Sequence, residues 1–151
     1  MEIRKAKNTD LDAIIELLHD DTLGKDRESV SDGDMEKYRA VFIELSESEY
    51  FDVFVMVDNK QIIGCYQMMY LPHLSFTGTQ RGQVESVRIR SDLRGKGLGT
   101  KLMKHAIDTA RKAGCGIFQL TSNKERKEAN KFYRELGLEP THDGYKLYYS
   151  S

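Results

Sequence analysis

Arg94-Gly95-Lys96-Gly97-Leu98-Gly99-Thr100 places three glycines at alternate positions beside two basic side chains. Such a turn lets a ligand touch bare backbone. If a helix starts there, its first four N–H groups lack internal acceptors and its macrodipole adds about half a positive charge, which suits a phosphate group. Arg94 and Lys96 add mobile positive charge. The same glycines also serve as a plain strand-to-helix connector, so the flanking residues have to decide.

Two common phosphate loops do not fit. A P-loop requires four residues between its first glycine and a Gly-Lys-Ser/Thr ending, and a dinucleotide fingerprint requires Gly-x-Gly-x-x-Gly; here the third glycine comes one residue early. What does fit is Arg/Gln-x-x-Gly-x-Gly/Ala, preceded by the strand Val84-Glu85-Ser86-Val87-Arg88-Ile89. This stretch resembles the acyl-CoA motif of the Gcn5-related N-acetyltransferase (GNAT) superfamily. A second run, Ala129-Asn130-Lys131-Phe132-Tyr133-Arg134-Glu135-Leu136-Gly137, is similar to the same superfamily's Ala-x-x-x-Phe-Tyr-x-x-x-Gly-Phe helix. It departs only at Leu138, where an aromatic is usual.

The resemblance covers residues 79–149 well and the first half poorly. It implies one domain over residues 1–151, an α/β fold with a mixed central sheet of about six or seven strands, and about four helices on its two faces. It also implies acetyl-CoA as cosubstrate, with no metal, and direct acetyl transfer to a primary amine. Acyl transfer from a thioester needs a proton acceptor for the amine, donors for the oxyanion and a proton for the leaving thiolate.

By the resemblance, Glu85 draws off the amine proton. Because a carboxylate is a weak base, the role requires a water relay or a raised pKa. The plain alternative is a strand glutamate paired with Arg88 or Arg90. Val87, Arg88 and Ile89 would bind the cosubstrate where the strand splays from its neighbour, with a backbone N–H of Val87 or Arg88 facing the oxyanion. Tyr133 matches the residue that protonates the CoA sulfur, against the plain reading of a core aromatic. Arg94, Gly95, Lys96, Gly97, Leu98, Gly99 and Thr100 would hold the pyrophosphate. Asn123 and Asn130 would bond the pantetheine arm or the pyrophosphate, or else serve as a cap or surface amide.

Composition fits that picture. With 151 residues, 39% hydrophobic and 31% charged, the chain is an ordinary globular domain. The start Met1-Glu2-Ile3-Arg4 lacks a signal-peptide core and no stretch approaches a membrane span, so a cytoplasmic protein without a membrane partner is expected. Cys65 and Cys115 read as small core residues, too few for a metal cluster. A net charge of −1 argues against nucleic acid as a partner. Residues 16–36 carry eight acidic side chains against Lys25 and Arg27, whereas 88–112 carry eight basic ones against Asp92 and Asp108. Two solvated faces explain this, or an anionic cosubstrate near the basic half and a small cationic acceptor near the acidic half.

The elements that must position these residues follow from periodicity. Glu2 to Lys7 reads as a short strand near a sheet edge. Thr9 and Asp12 signal a helix start, followed by Leu11, Ile14, Ile15 and Leu18 and an end near His19 to Asp21. Thr22 to Asp34 reads as a loop, and Met35 to Glu49 as a second helix. By resemblance, this pair walls the acceptor site. Residues 51–58 and 61–71 alternate as a hairpin about Asn59-Lys60, with Gly64 a bulge or close approach. His73 to Gly82 reads as a connector, in which His73 is a loop residue or a general base.

Leu98 to Lys112 forms an amphipathic helix closed by Gly114, then Ile117 to Thr121 a parallel strand. Lys124 to Leu136 is the last helix, and 139–149 a terminal hairpin about Asp143-Gly144. Symmetry favours a homodimer. Three functions stay open: a small-molecule N-acetyltransferase, a protein N-acetyltransferase, and a non-catalytic acyl-CoA sensor or regulatory module. The C-terminal half is similar to aminoalkylphosphonate-type members without fixing an acceptor.

Overall fold

A computed structural model of the protein describes residues 1–20 and 27–149. Five strands form one sheet in sequence order: β1 (Glu2–Lys5), β2 (Phe51–Asp58), β3 (Gln61–Leu71), β4 (Arg81–Ile89) and β5 (Ile117–Gln119). Neighbours from β1 to β4 are antiparallel, and β5 runs parallel to β4. The helices are α1 (Leu11–His19), α2 (Asp32–Glu47), the four-residue α3 (Ser75–Gly78), α4 (Leu98–Lys112) and α5 (Lys127–Glu135). This is the mixed α/β architecture expected, with five strands in place of six or seven.

Side-chain alternation along β2 and β3 assigns the layers. Phe54, Met56, Tyr66, Met68 and Tyr70 point to one face, where Leu102, Met103, Ala106 and Ala110 of α4 complete the main core. Val55 and Cys65 point to the other face and meet Ile14 and Leu17 of α1. Both faces of β2 are therefore buried, whereas alternation alone suggests one apolar and one mixed face. Burial pushes the Cys65 thiol up to about 12, so it is an inert core group.

Several boundaries differ from expectation. The entry to α1 is fixed by Asp10 rather than by Thr9 and Asp12: its carboxylate accepts from the Lys7 N–H at 2.7 Å and from the Arg4 guanidinium at 2.7 and 3.1 Å. That bidentate bond from Arg4 is the main reason the Asp10 carboxyl lies below the usual range. Helix α2 begins at Asp32, where Ser31 Oγ accepts from the Asp34 N–H at 3.4 Å. Of the loop expected over Thr22 to Asp34, residues 22–26 lie outside the described residues, as does Asp21 at the expected end of the first helix.

The hairpin turn at Asn59-Lys60 has φ of 48° and 65°, the left-handed pair that a two-residue connection requires. Strand β4 begins at Arg81, so Gly82 is part of it: a Cβ there would stand 2.7 Å from the Ala110 Cβ, and only glycine lets α4 approach. Gly64 marks both a register shift and a close approach, with the Arg88 carbonyl 3.0 Å from its Cβ position. The terminal hairpin is not formed: residues 138–149 run without strand, helix or turn. Asp143-Gly144 carries the composition of a turn, but no paired strands flank it.

Candidate functional site

The glycine turn lies between β4 and α4. Gly95 and Gly97 have φ of 77° and 80°, a region that side chains with a Cβ rarely adopt, and nothing stands within 4 Å of either Cβ position. Gly97 caps α4, and the first intrahelical bond there is from the Lys101 N–H to the Gly97 carbonyl at 3.2 Å. The amides of Leu98, Gly99 and Thr100 precede it and so have no acceptor within the helix. A fifteen-residue helix thus opens with free donors behind an uncrowded turn, which fits a diphosphate.

Arg94 is not a mobile charge. Its Nε donates to the Ile89 carbonyl and its Nη2 to the Asp20 carbonyl, both at 3.1 Å. The Asp20 carboxylate in turn accepts from the Ser91 N–H at 3.1 Å, and hydrogen bonds from the Ser91 side chain and backbone hold its pKa down. The end of α1 is therefore stapled to the turn, while Lys96 stays exposed.

Strand β4 pairs with β5 only at Arg81, Gly82 and Gln83. From Val84 to Ile89, its edge on that side has no strand against it among the described residues. Ser86 takes a φ of 55° in a bulge, because Cys65 and Gln67 face Arg88 and Glu85, two steps on β3 against three on β4. Val87 follows within the bulge, and pairing resumes at Arg88. Since Cys65 faces α1, its partner Arg88 and the Gln67 partner Glu85 share the α1 side of the sheet. Val87 and Ile89 pack against the main core instead.

Glu85 is half-buried and forms no ion pair among the described residues. Arg90 closes on Asp92 at 2.7 Å, and Arg88 Nη1 donates to the Val87 carbonyl at 2.9 Å, so neither pairing first considered for Glu85 is made. Its carboxylate accepts from Gln83 Nε2 at 3.2 Å. Gln83 Oε1 accepts from Gln119 Nε2 at 2.7 Å, and Gln119 Oε1 from Arg81 Nη1 at 3.4 Å. This line of donors fastens the last paired position of β4 and β5 and ends on Glu85. The spacing of Arg81, Gln83 and Glu85 already puts them on one face of a strand. Gln119 is the member that only the parallel register reveals.

Helix α5 leans on the first turn of α4: Phe132 Cζ lies 3.6 Å from the Cβ position of Gly99. The Phe132 and Tyr133 rings are 5.2 Å apart, and both pack against the main core. Burial raises the Tyr133 phenol above its ordinary value, with the Arg126 and Arg88 charges offsetting part of that. A phenol so placed keeps its proton at neutral pH. Asn130 Oδ1 accepts from Arg134 Nε at 2.7 Å, and Asn123 Oδ1 from the Glu125 N–H at 2.9 Å, so both amides have local partners. His73 Nδ1 sits 2.9 Å from the Leu71 carbonyl, in the connector before β4. In the acidic segment, Glu28 accepts from the Tyr38 hydroxyl at 2.6 Å and Asp34 pairs with Lys37 at 3.2 Å.

Comparison with known proteins agrees with this geometry. The sequence model of the Acetyltransferase (GNAT) family matches residues 11–138. A solved structure described as a transcriptional regulator from Bacillus halodurans C-125 is 34% identical, with a TM-score of 0.94 over 98% of this chain and 99% of that one. An aminoalkylphosphonate N-acetyltransferase of Salmonella typhimurium is 26% identical over 54% of this chain and 50% of its own length. An uncharacterized N-acetyltransferase of Methanocaldococcus jannaschii is 39% identical over 38% of this chain and 25% of its own. The matched stretch thus spans a quarter to a half of these two relatives.

Proposed function

The chain belongs to the GNAT acetyltransferase family, and from that premise we propose that it transfers an acetyl group from acetyl-CoA directly to the primary amine of a small cationic acceptor. The observation that carries the reading is the glycine turn opening α4 beside the gap where β4 leaves β5. In this reading the amides of residues 95–100 bind the diphosphate, and the thioester lies in the gap. A backbone N–H at Val87 or Arg88 bonds the carbonyl oxygen. Glu85 takes the amine proton through water, the nitrogen attacks the thioester carbon, and the C–S bond breaks as Tyr133 gives its proton to sulfur. Asn123 and Asn130 would need to release their local partners to reach the cosubstrate.

A cationic acceptor is supported by the half-buried Glu85 carboxylate, which has an amide but no described cation against it. Several carboxylates of the acidic first half are engaged locally, so Glu85 carries more of that argument than the charge distribution does. A second reading, an acyl-CoA-responsive regulator without turnover, is favoured by the likeness to the structure described as a transcriptional regulator.

Release of free CoA thiol over a panel of amines, amino sugars, aminoalkyl phosphonates and peptides tests both. Turnover is expected on a small amine. In Tyr133→Phe it should fall about 100- to 10,000-fold, the range of general acid catalysis, with acetyl-CoA affinity retained. Tight acetyl-CoA binding without turnover on any acceptor would establish the second reading, and unchanged turnover in Tyr133→Phe would remove the acid from that residue.

A further inference from the structure

Side-chain alternation leaves the two faces of β3 and β4 unequally covered. Tyr66, Met68, Tyr70, Gly82 and Val84 are buried on the α4 side, whereas Met69 and Leu71, with Arg81, Gln83 and Glu85, face the α1 side and are only partly buried. Helix α1 meets that side at Val55 and Cys65, and neither Met69 nor Leu71 joins the clusters formed there. The sheet between Glu85 and Arg81 is therefore a partly open ledge that runs away from the proposed cleft.

Arg81 stands at the far end of that ledge. A guanidinium has five N–H donors. Nη2 gives one to Ser75 Oγ at 3.0 Å and Nη1 gives one to Gln119 Oε1 at a long 3.4 Å, while the buried Nε–H has no acceptor among the described residues. No described carboxylate forms an ion pair with it. Its Cζ lies 5.7 Å from the centre of the Phe76 ring, and Phe76 and Thr77 hold φ of 52° and 57°, a costly left-handed pair. A strained connector thus keeps a hydroxyl and a ring against this cation, and both are neutral. A partly buried charge with only neutral partners is unfavourable until an anion joins it.

Glu85 ends the same row with the opposite charge. Four residues of strand put the two backbone positions roughly 13 Å apart. Between them lie the amides of Gln83 and Gln119, bonded to each other at 2.7 Å and neutral. We infer that Arg81 is a specificity-determining residue of the acceptor site, and that the acceptor is a zwitterion: a primary amine with a carboxylate, phosphate or phosphonate several bonds away. The amine end rests on the acetyl-transfer reading, in which it meets Glu85; the anionic end takes the N–H donors that Ser75 and Gln119 leave on Arg81. Allowing about 3 Å for the hydrogen bond at each end, ammonium and anion lie up to roughly 7 Å apart, which 5-aminopentanoate can span.

Three acceptors that share one amine and differ at the far end test it: 5-aminopentanoate, pentylamine and 1,5-diaminopentane. With acetyl-CoA, kcat/KM should be about 10- to 100-fold higher for 5-aminopentanoate than for pentylamine and lowest for the diamine, the difference lying in KM rather than kcat. Arg81→Gln should erase that order with KM for acetyl-CoA unchanged, and Arg81→Lys should keep part of it. Equal values for the three, a preference for the diamine, or an order that survives in Arg81→Gln each overturns the inference. Calorimetric binding of the same three to the CoA-loaded protein needs no turnover and separates the two readings. Tightest binding of 5-aminopentanoate without turnover would remove acetyl transfer and keep the Arg81 assignment, whereas turnover with equal affinities would do the reverse. The comparison within the parent chain needs no variant, so a misfolded Arg81→Gln leaves the test intact.

Discussion

At the residue scale, what separates Glu85 from an ordinary strand carboxylate is the line Arg81, Gln119, Gln83 behind it, each donating to the next. An amide donor on a carboxylate favours its charged form and fixes its direction. Gln83→Leu keeps the strand and removes that donor. We expect kcat to fall about tenfold or more, in line with the loss of a hydrogen bond to a charged group, with KM for acetyl-CoA unchanged. An unchanged kcat would show that Gln83 only packs. Tyr133 bounds the alkaline side of the pH profile: since burial raises its value above the ordinary 10, that limb should lie above pH 10.

At the element scale, the start of α4 and the end of α5 allow a controlled comparison. Gly97 and Gly137 have φ of 80° and 93°, and neither has an atom within 4 Å of its Cβ position. Alanine at either should cost about 1–2 kcal/mol of stability for the left-handed backbone. Only Gly97→Ala puts a methyl where the diphosphate is proposed to sit, so acetyl-CoA affinity should drop at least about tenfold there, or 1.4 kcal/mol, and stay unchanged in Gly137→Ala. Equal affinity in the two variants by calorimetry would place the cosubstrate elsewhere. Elements whose rules are local were legible in the sequence: β2 and β3 match to the residue because alternation breaks at Asn59-Lys60, and α4 starts at Leu98 because Gly97 caps it. Where a rule needs a neighbour, the sequence was silent. Gly82 looks like a loop glycine until α4 is seen against it, Ser86 gives no sign of a bulge, and Gln119 meets Gln83 only through a parallel register. The Asp143-Gly144 turn signal misled because, among the described residues, the segments on either side of it pair with no strand.

At the scale of the whole molecule, the main core holds α4 to the sheet, and each fully buried Leu102 or Met103 contributes about 1.5–3 kcal/mol. A polar contact crosses that interface: the Tyr66 hydroxyl lies 2.8 Å from His105 Nδ1, with the Phe54 ring stacked on Tyr66 at 4.9 Å. With the imidazole neutral and its proton on Nε2, Nδ1 accepts from the hydroxyl of the wholly buried Tyr66; a protonated ring has no acceptor to offer. Burial depresses the His105 value below 6.5, with Lys112 acting in the same sense and Asp108 against it. Below about pH 6.5 the unfolded chain takes up a proton that the folded His105 refuses. Its contribution to stability is therefore full above pH 6.5 and declines as the pH falls toward the folded value. Urea midpoints should accordingly be lower at pH 5.5 than at pH 7.5, and His105→Gln, whose amide carbonyl still accepts from Tyr66 but does not titrate, should flatten that difference. If His105→Gln shows the same pH slope as the parent chain, the acid sensitivity belongs to another group and the contact between Tyr66 and His105 is only packing.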